Sequence, residues 1–170
     1  RPLTIVYEGL DRVDGSARFG FGETKALTSV SGPIEVRAAL EQPSQATLDV
    51  HVRPLASLPG TDAKALAATL KALLTPALFL AHHPRSLVQL VAQAICSNGA
   101  RAGSWRSTLI AALINASCAA LLNAASVPMR GVVCAVAVGR RGDTLLLDPA
   151  EEEFSDLLGS GCFAFLFSSS

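Results

Sequence analysis

Charge is scarce in this chain. Only 16% of its 170 residues are charged, and 14 basic side chains balance 14 acidic ones, so the formal net charge is zero. A free-standing polyanion binder usually carries a basic excess, and none is present in the total. Disorder is excluded as well, because half the residues are hydrophobic. Close cysteine pairs are missing: Cys96, Cys118, Cys134 and Cys162 have neither zinc-clip nor redox spacing. Each sits among apolar neighbours, which predicts buried free thiols in a reducing interior. The start shows no basic-then-apolar leader pattern.

The sharpest shortage is local. No acidic residue lies between Asp62 and Asp143. That interval holds Lys64, Lys71, Arg85, Arg101, Arg106, Arg130, Arg140 and Arg141, a formal +8, while residues 1–62 sum to −2 and residues 143–170 to −6. Such segregation predicts a basic surface for an anionic partner and acidic ends for a basic neighbour. Residues 107–129 carry no charge at all and are long enough to span a bilayer. They also hold Ser107, Thr108, Asn115, Ser117, Asn123 and Ser126, with Ala outnumbering Leu. That composition predicts a buried helix packed on a sheet, and no membrane partner.

What is present reads as alternating strands and helices, in a length that suits one domain. Thr47–Arg53 alternates strictly, with Leu48, Val50 and Val52 on one face, and predicts a half-buried strand ended by Pro54. Ser16–Phe21 and Thr24–Val30 are shorter strands across the turn-like Gly22-Glu23, and Ser31-Gly32-Pro33 breaks the run. Thr61 or Asp62 caps a helix over about 63–74, with Leu66, Leu70, Leu73 and Leu74 on one face. A strand over 86–96, a loop to about 106 and a helix over about 108–125 follow. Strands over 131–138, 144–147 and 162–167 complete the chain, with 139–142 as a turn. The order β-β-β-β-α-β-α-β-β-β predicts an α+β (mixed α/β) fold, with mixed sheets and two main helices packed on them.

The chemistry-bearing residues are weakly grouped. His82-His83 project differently and have no third ligand nearby, so a surface or structural role is expected rather than a metal site. Glu151-Glu152-Glu153 with Asp156 has the oxygen chemistry for magnesium, but also suits a solvated helix start. The stretch from Asn98 to Gly103 lacks the spacing of a nucleotide-binding loop. No catalytic triad emerges from spacing.

Longer motifs carry more. Asp11-Arg12-Val13-Asp14-Gly15-Ser16, Gly22-Glu23-Thr24-Lys25 and Ser29-Val30-Ser31-Gly32-Pro33-Ile34-Glu35 stand in order near the start. Val52-Arg53-Pro54, His83-Pro84-Arg85, Ile114-Asn115-Ala116, Val127-Pro128-Met129 and Leu147-Asp148-Pro149 follow. Together they resemble, over nearly the whole chain, the RNase PH-type ring subunits of the eukaryotic RNA exosome, and a fungal form among them. The resemblance implies a single RNase PH-like domain over 1–170 that lacks the family's C-terminal strand and helix. It implies a hexameric ring with other RNase PH-type exosome subunits, with cap proteins and a separate catalytic nuclease. RNA would run through the ring, and the location would be nucleus and nucleolus, also cytoplasm.

Active members of the family use phosphate to cleave the terminal phosphodiester of RNA, with cations holding phosphate and carboxylates near the scissile group. At the matching positions this chain has Ala68 and Leu109 for two arginines, and Phe154 and Ser160 for two aspartates. The resemblance therefore implies a non-catalytic member with no catalytic residue, no metal and no cofactor. Lys64, Lys71, Arg101 and Arg106 are the expected RNA-binding residues, whereas Arg53 and Arg85, beside prolines, look structural. The rival readings are an exoribonuclease, alone or as a homodimer, with Glu152, Glu153 or Asp156 around a metal, and a small-molecule enzyme on the same scaffold.

Overall fold

The computed structural model describes residues 1–55, 58–96 and 105–168. Its elements follow the expected order. Strands β1 (Leu3–Tyr7), β2 (Gly15–Phe21) and β3 (Thr24–Glu35) form an antiparallel meander. Gly22, at φ 59°, makes the tight β2–β3 turn, a left-handed conformation that glycine adopts without steric cost. Strand β4 (Thr47–Arg53) pairs parallel with β5 (Ser86–Cys96) and ends the five-stranded sheet, whose order is β1-β2-β3-β5-β4. The predicted alternation in β4 holds: Leu48, Val50 and Val52 are buried while His51 and Arg53 are exposed.

Between the parallel strands runs helix α1 (Thr61–Leu74), which buries Ala63, Leu66, Leu70 and Leu74 against β4 and the core. It begins at Thr61 with Gly60 as cap, so neither Thr61 nor Asp62 caps it as expected. Helix α2 (Ser107–Ala124) packs on β2 and β3 on one side and on the second sheet on the other. That second sheet has β6 (Val132–Arg141) between β7 (Thr144–Leu147) and β8 (Gly159–Phe167), both antiparallel to it. α2 is long and apolar enough to cross a membrane, but it lies in the core, as its composition predicts.

Alanine explains how one helix serves two sheets. Ala111, Ala112, Ala116 and Ala120 are fully buried, so both sheets approach the α2 backbone closely, while Leu113 and Leu121 fill the remaining space. Each such leucine contributes about 1.5–3 kcal/mol by leaving water. Directional bonds fix the helix. Asn115 donates Nδ2–H to the Ala135 carbonyl at 2.8 Å and accepts the Ala135 N–H at 2.7 Å, clasping β6. On the other side, Asn123 Nδ2 donates to the Ser16 carbonyl at 3.1 Å. Arg1 and Asp148 form an ion pair that ties the start of the chain to the second sheet.

Three expectations are corrected. Ser31-Gly32-Pro33 does not break β3; the strand continues to Glu35 through a register shift against β5 between Ser31 and Ile34. A bulge absorbs the missing proline N–H without ending the strand. β6 extends to Arg141, past the predicted turn start, because Gly139, Arg140 and Arg141 pair with β7. Cys134 is exposed rather than buried, since alternate residues of β6 face away from α2. That outer face is apolar: Val132, Cys134 and Val136 lie opposite Phe167, Phe165 and Phe163. The three rings are 62%, 56% and 52% exposed.

The thiols consequently differ in reactivity. Cys118 is buried, which raises its pKa, and burial pushes Cys162 up to about 11. Because the thiolate is the nucleophile, Cys162 stays protonated near neutrality and gains reactivity only as pH approaches that value. Iodoacetamide at pH 8 is expected to label Cys134 first, with Cys118 and Cys162 at least tenfold slower, read by peptide mass spectrometry.

Candidate functional site

Two regions hold the residues singled out in the sequence. The first is the N-terminal end of α2. Arg106 precedes the helix in extended conformation with no side-chain cap, and the hydroxyls of Ser107 and Thr108 are buried without a hydrogen-bond partner. The free N–H groups and dipole of a helix start favour an anion. Beside it stands a 3₁₀ turn over Glu151–Asp156, and the guanidinium of Arg106 sits 5.2 Å from the centre of the Phe154 ring. A cation over an aromatic face is attracted by about 0.5–2 kcal/mol. The family resemblance sets Phe154 at an aspartate position, which implies an aromatic face in place of a carboxylate.

Two of the neighbouring carboxylates are engaged by other groups. Glu153 accepts the Ala150 N–H at 2.7 Å, shaping the start of the 3₁₀ turn. Asp156 pairs with Arg141 at 3.4 Å. Ser160, which the family resemblance sets at a second aspartate position, is exposed on β8 opposite Gly139. Among the described residues no three His, Cys, Asp or Glu side chains gather closely enough to hold a metal ion. His82 stacks on Phe79 with ring centres 5.5 Å apart, and Arg130 covers Phe79 at 4.6 Å. Leu109, which the family resemblance sets at an arginine position, is 4% exposed and part of the core.

The second region is α1 with the edge of β4. Lys64, Ala68 and Lys71 are all exposed on α1. A groove of about 190 Å³ runs between α1 and β4, lined by His51, Arg53, Pro59, Ala63 and Lys64 among others. The structure thus brings Lys64 together with Arg53, and places Arg106 separately on Phe154. Arg101 lies outside the described residues. Arg85 pairs with Glu41 at 3.4 Å on the surface, and its backbone N–H donates to the Gln42 carbonyl. Arg53, expected to be structural from the sequence, is exposed and has no carboxylate partner among the described residues. The alternation of β4 turns Arg53 away from the core.

The family model described as 3' exoribonuclease family, domain 1, matches residues 1–126. The exosome complex component RRP46 of Saccharomyces cerevisiae is 32% identical over 160 residues, covering 93% of this chain and 71% of that protein. The exosome complex component Rrp41 of Archaeoglobus fulgidus is 32% identical over 180 residues, covering 98% of this chain and 64% of that protein. The crystal structure of rice (Oryza sativa) Rrp46 superposes with a TM-score of 0.86 at 29% identity, covering 98% of this chain and 74% of that one. With the family model matching residues 1–126, about three quarters of the chain, and the fold of a relative reproduced along it, the chain belongs to the RNase PH 3' exoribonuclease family.

Proposed function

We propose that this chain is a ring subunit of an RNA exosome core, and that it does not itself cleave RNA. Relatives named as exosome components support the first half. The reading places residues 1–170 in a single RNase PH-like domain, in a six-membered ring of related chains. RNA, cap proteins and a separate nuclease complete the assembly, in the nucleus, nucleolus and cytoplasm. Lys64, Lys71, Arg101 and Arg106 are its RNA-contacting residues.

The observation that carries the second half is Phe154 beneath Arg106. Phosphorolysis needs carboxylates close to the scissile phosphate, and removal of one preorganised group costs roughly 10²–10³ in rate. Here one carboxylate position is an aromatic ring, the other a serine, and the neighbouring Glu153 and Asp156 are held by Ala150 and Arg141. Incubation of the purified chain with labelled RNA, phosphate and magnesium is expected to release no nucleoside diphosphate above a protein-free control. Phosphate-dependent product that vanishes in a Glu153→Gln/Asp156→Asn variant would restore the nuclease reading. Native mass spectrometry of the assembled complex tests the ring: a stable assembly with other RNase PH-type chains is expected, and a stoichiometric homodimer opposes it.

A further inference from the structure

We infer that β1 is a docking edge for an extended segment of a partner protein. The segment adds to the five-stranded sheet as a further strand and sends uncharged apolar side chains, at alternate positions, into the groove between β1 and β6. The inference does not depend on the exosome reading.

Backbone pairing carries the first half. In an antiparallel pair, only every second residue exchanges hydrogen bonds with the neighbouring strand. The Gly22 N–H donates to the Pro2 carbonyl at 2.9 Å and the Glu8 N–H to the Ser16 carbonyl at 3.1 Å, both in the β1–β2 register. Even-numbered residues of β1 therefore bond β2, and the N–H and C=O groups of Leu3, Ile5 and Tyr7 point away from the sheet. No strand among the described residues meets them. Sheet edges are commonly blunted by charge, proline or a bulge. β1 has none of these: its five residues pair with β2 in unbroken register, and all five are exposed. The opposite edge, β4, carries Asp49, His51 and Arg53. Across the groove, β6 is closed by side chains of α2. Cys118 Sγ accepts the Val133 N–H at 3.2 Å, and Asn115 engages both backbone groups of Ala135. An incoming strand thus finds open backbone on β1 and not on the stretch of β6 that faces it.

Side chains carry the second half. Leu3, Ile5 and Tyr7 line, with Leu122, Val132 and Val136, a groove of about 420 Å³ whose lining includes no charged side chain. The charges at the two ends of β1 are already paired, Arg1 with Asp148 and Arg18 with Glu8 at 2.8 Å. A charge sent into this groove would lose water without gaining a counter-ion, so charge complementarity selects an uncharged segment. Alternate residues of an added strand project to one face, here the face of Leu3, Ile5 and Tyr7. Main-chain bonds then supply affinity, and the groove supplies specificity.

The probe is a fluorescein-labelled heptapeptide of alternating serine and valine, titrated into the full chain by fluorescence anisotropy. Saturable binding is expected, at least tenfold weaker when lysine replaces valine in the peptide. Ile5→Pro removes an outward N–H and leaves the β1–β2 bonds in place, a position where edge strands tolerate proline. Its circular dichroism is expected to match wild type and its peptide affinity to fall at least tenfold. Ile5→Lys keeps the N–H, alters an exposed side chain and places a charge at the groove; the same loss is expected. Unchanged binding in both variants, or a wild-type chain that does not bind the peptide, overturns the inference. Binding lost in Ile5→Lys but kept in a folded Ile5→Pro shows a groove that takes apolar side chains without strand pairing, and overturns the added strand. Sedimentation of the chain alone is read in parallel. A dimer that Ile5→Pro dissociates overturns the separate partner and assigns the edge to a second copy.

Discussion

Gly15→Ala is expected to remove about 3 kcal/mol or more of folding stability, the effect of forcing a side chain into a packed interface. Gly15 opens β2 opposite Val30, where the strand passes directly beneath α2. A Cβ built there would lie 2.6 Å from the Ala120 carbonyl oxygen and from the Ala124 Cα. Both are helix backbone, which cannot rotate aside as a flexible side chain would. Relief requires α2 to lift from β2, which loosens the Asn123–Ser16 hydrogen bond and opens packing around Ala17 and Ala120. Since small domains hold only about 5–15 kcal/mol, the loss is a large fraction of the total. Urea unfolding monitored by circular dichroism measures it as a lowered midpoint at unchanged slope. Gly9→Ala is the control, because a Cβ there meets nothing within 4 Å. Equal midpoints for the two variants would show that α2 does not sit on Gly15 as described.

This glycine also shows what the sequence could and could not convey. The Asp14-Gly15-Ser16 motif marks Gly15 as part of a familiar opening, but the reason for glycine is a helix more than 100 residues away. Local periodicity was legible wherever one face meets water: the alternation of Thr47–Arg53 specified β4, and the leucine spacing specified α1. It failed where both faces of a strand are apolar. Nothing in Val132–Val136 distinguishes the residues against α2 from Cys134 on the open face, so burial of that thiol could not be read. Ser31-Gly32-Pro33 misled because the same residues signal a stop or a bulge, and pairing with β5 decides between them. At the candidate site, the absent arginine and aspartate positions were visible through family resemblance. That Phe154 receives Arg106 was not, because 48 positions of chain separate two residues joined only by tertiary packing.

Leu109→Arg, which introduces the arginine that the family resemblance implies at this position, is expected to cost about 4 kcal/mol or more and to leave the chain largely insoluble. Unpaired buried charges are among the few changes that reach that size. Leu109 is 4% exposed in the first turn of α2, surrounded by the main core. A guanidinium there cannot shed its proton, and the positive end of the helix dipole repels it. The nearest orphan groups, the Ser107 and Thr108 hydroxyls, offer lone pairs but no charge. Ala68→Arg, by contrast, adds the other missing arginine to an exposed face of α1 and is expected to change stability by under about 0.5 kcal/mol. Soluble yield and urea midpoints of the two variants separate these cases. A stable Leu109→Arg protein would mean that the side chain reaches solvent or phosphate, and would reopen phosphorolysis for test. The expected asymmetry has a direct consequence for activity. Ala68 and Ser160 are exposed vacancies that substitution can refill, whereas Leu109 is core and Phe154 holds Arg106. An Ala68→Arg/Phe154→Asp/Ser160→Asp variant therefore regains carboxylates without the second arginine, and adding Leu109→Arg completes the set at the expense of α2 packing. On the non-catalytic reading proposed above, restoration of the four side chains alone is expected to yield no phosphorolysis, because the fourth disrupts the packing of α2 around Leu109.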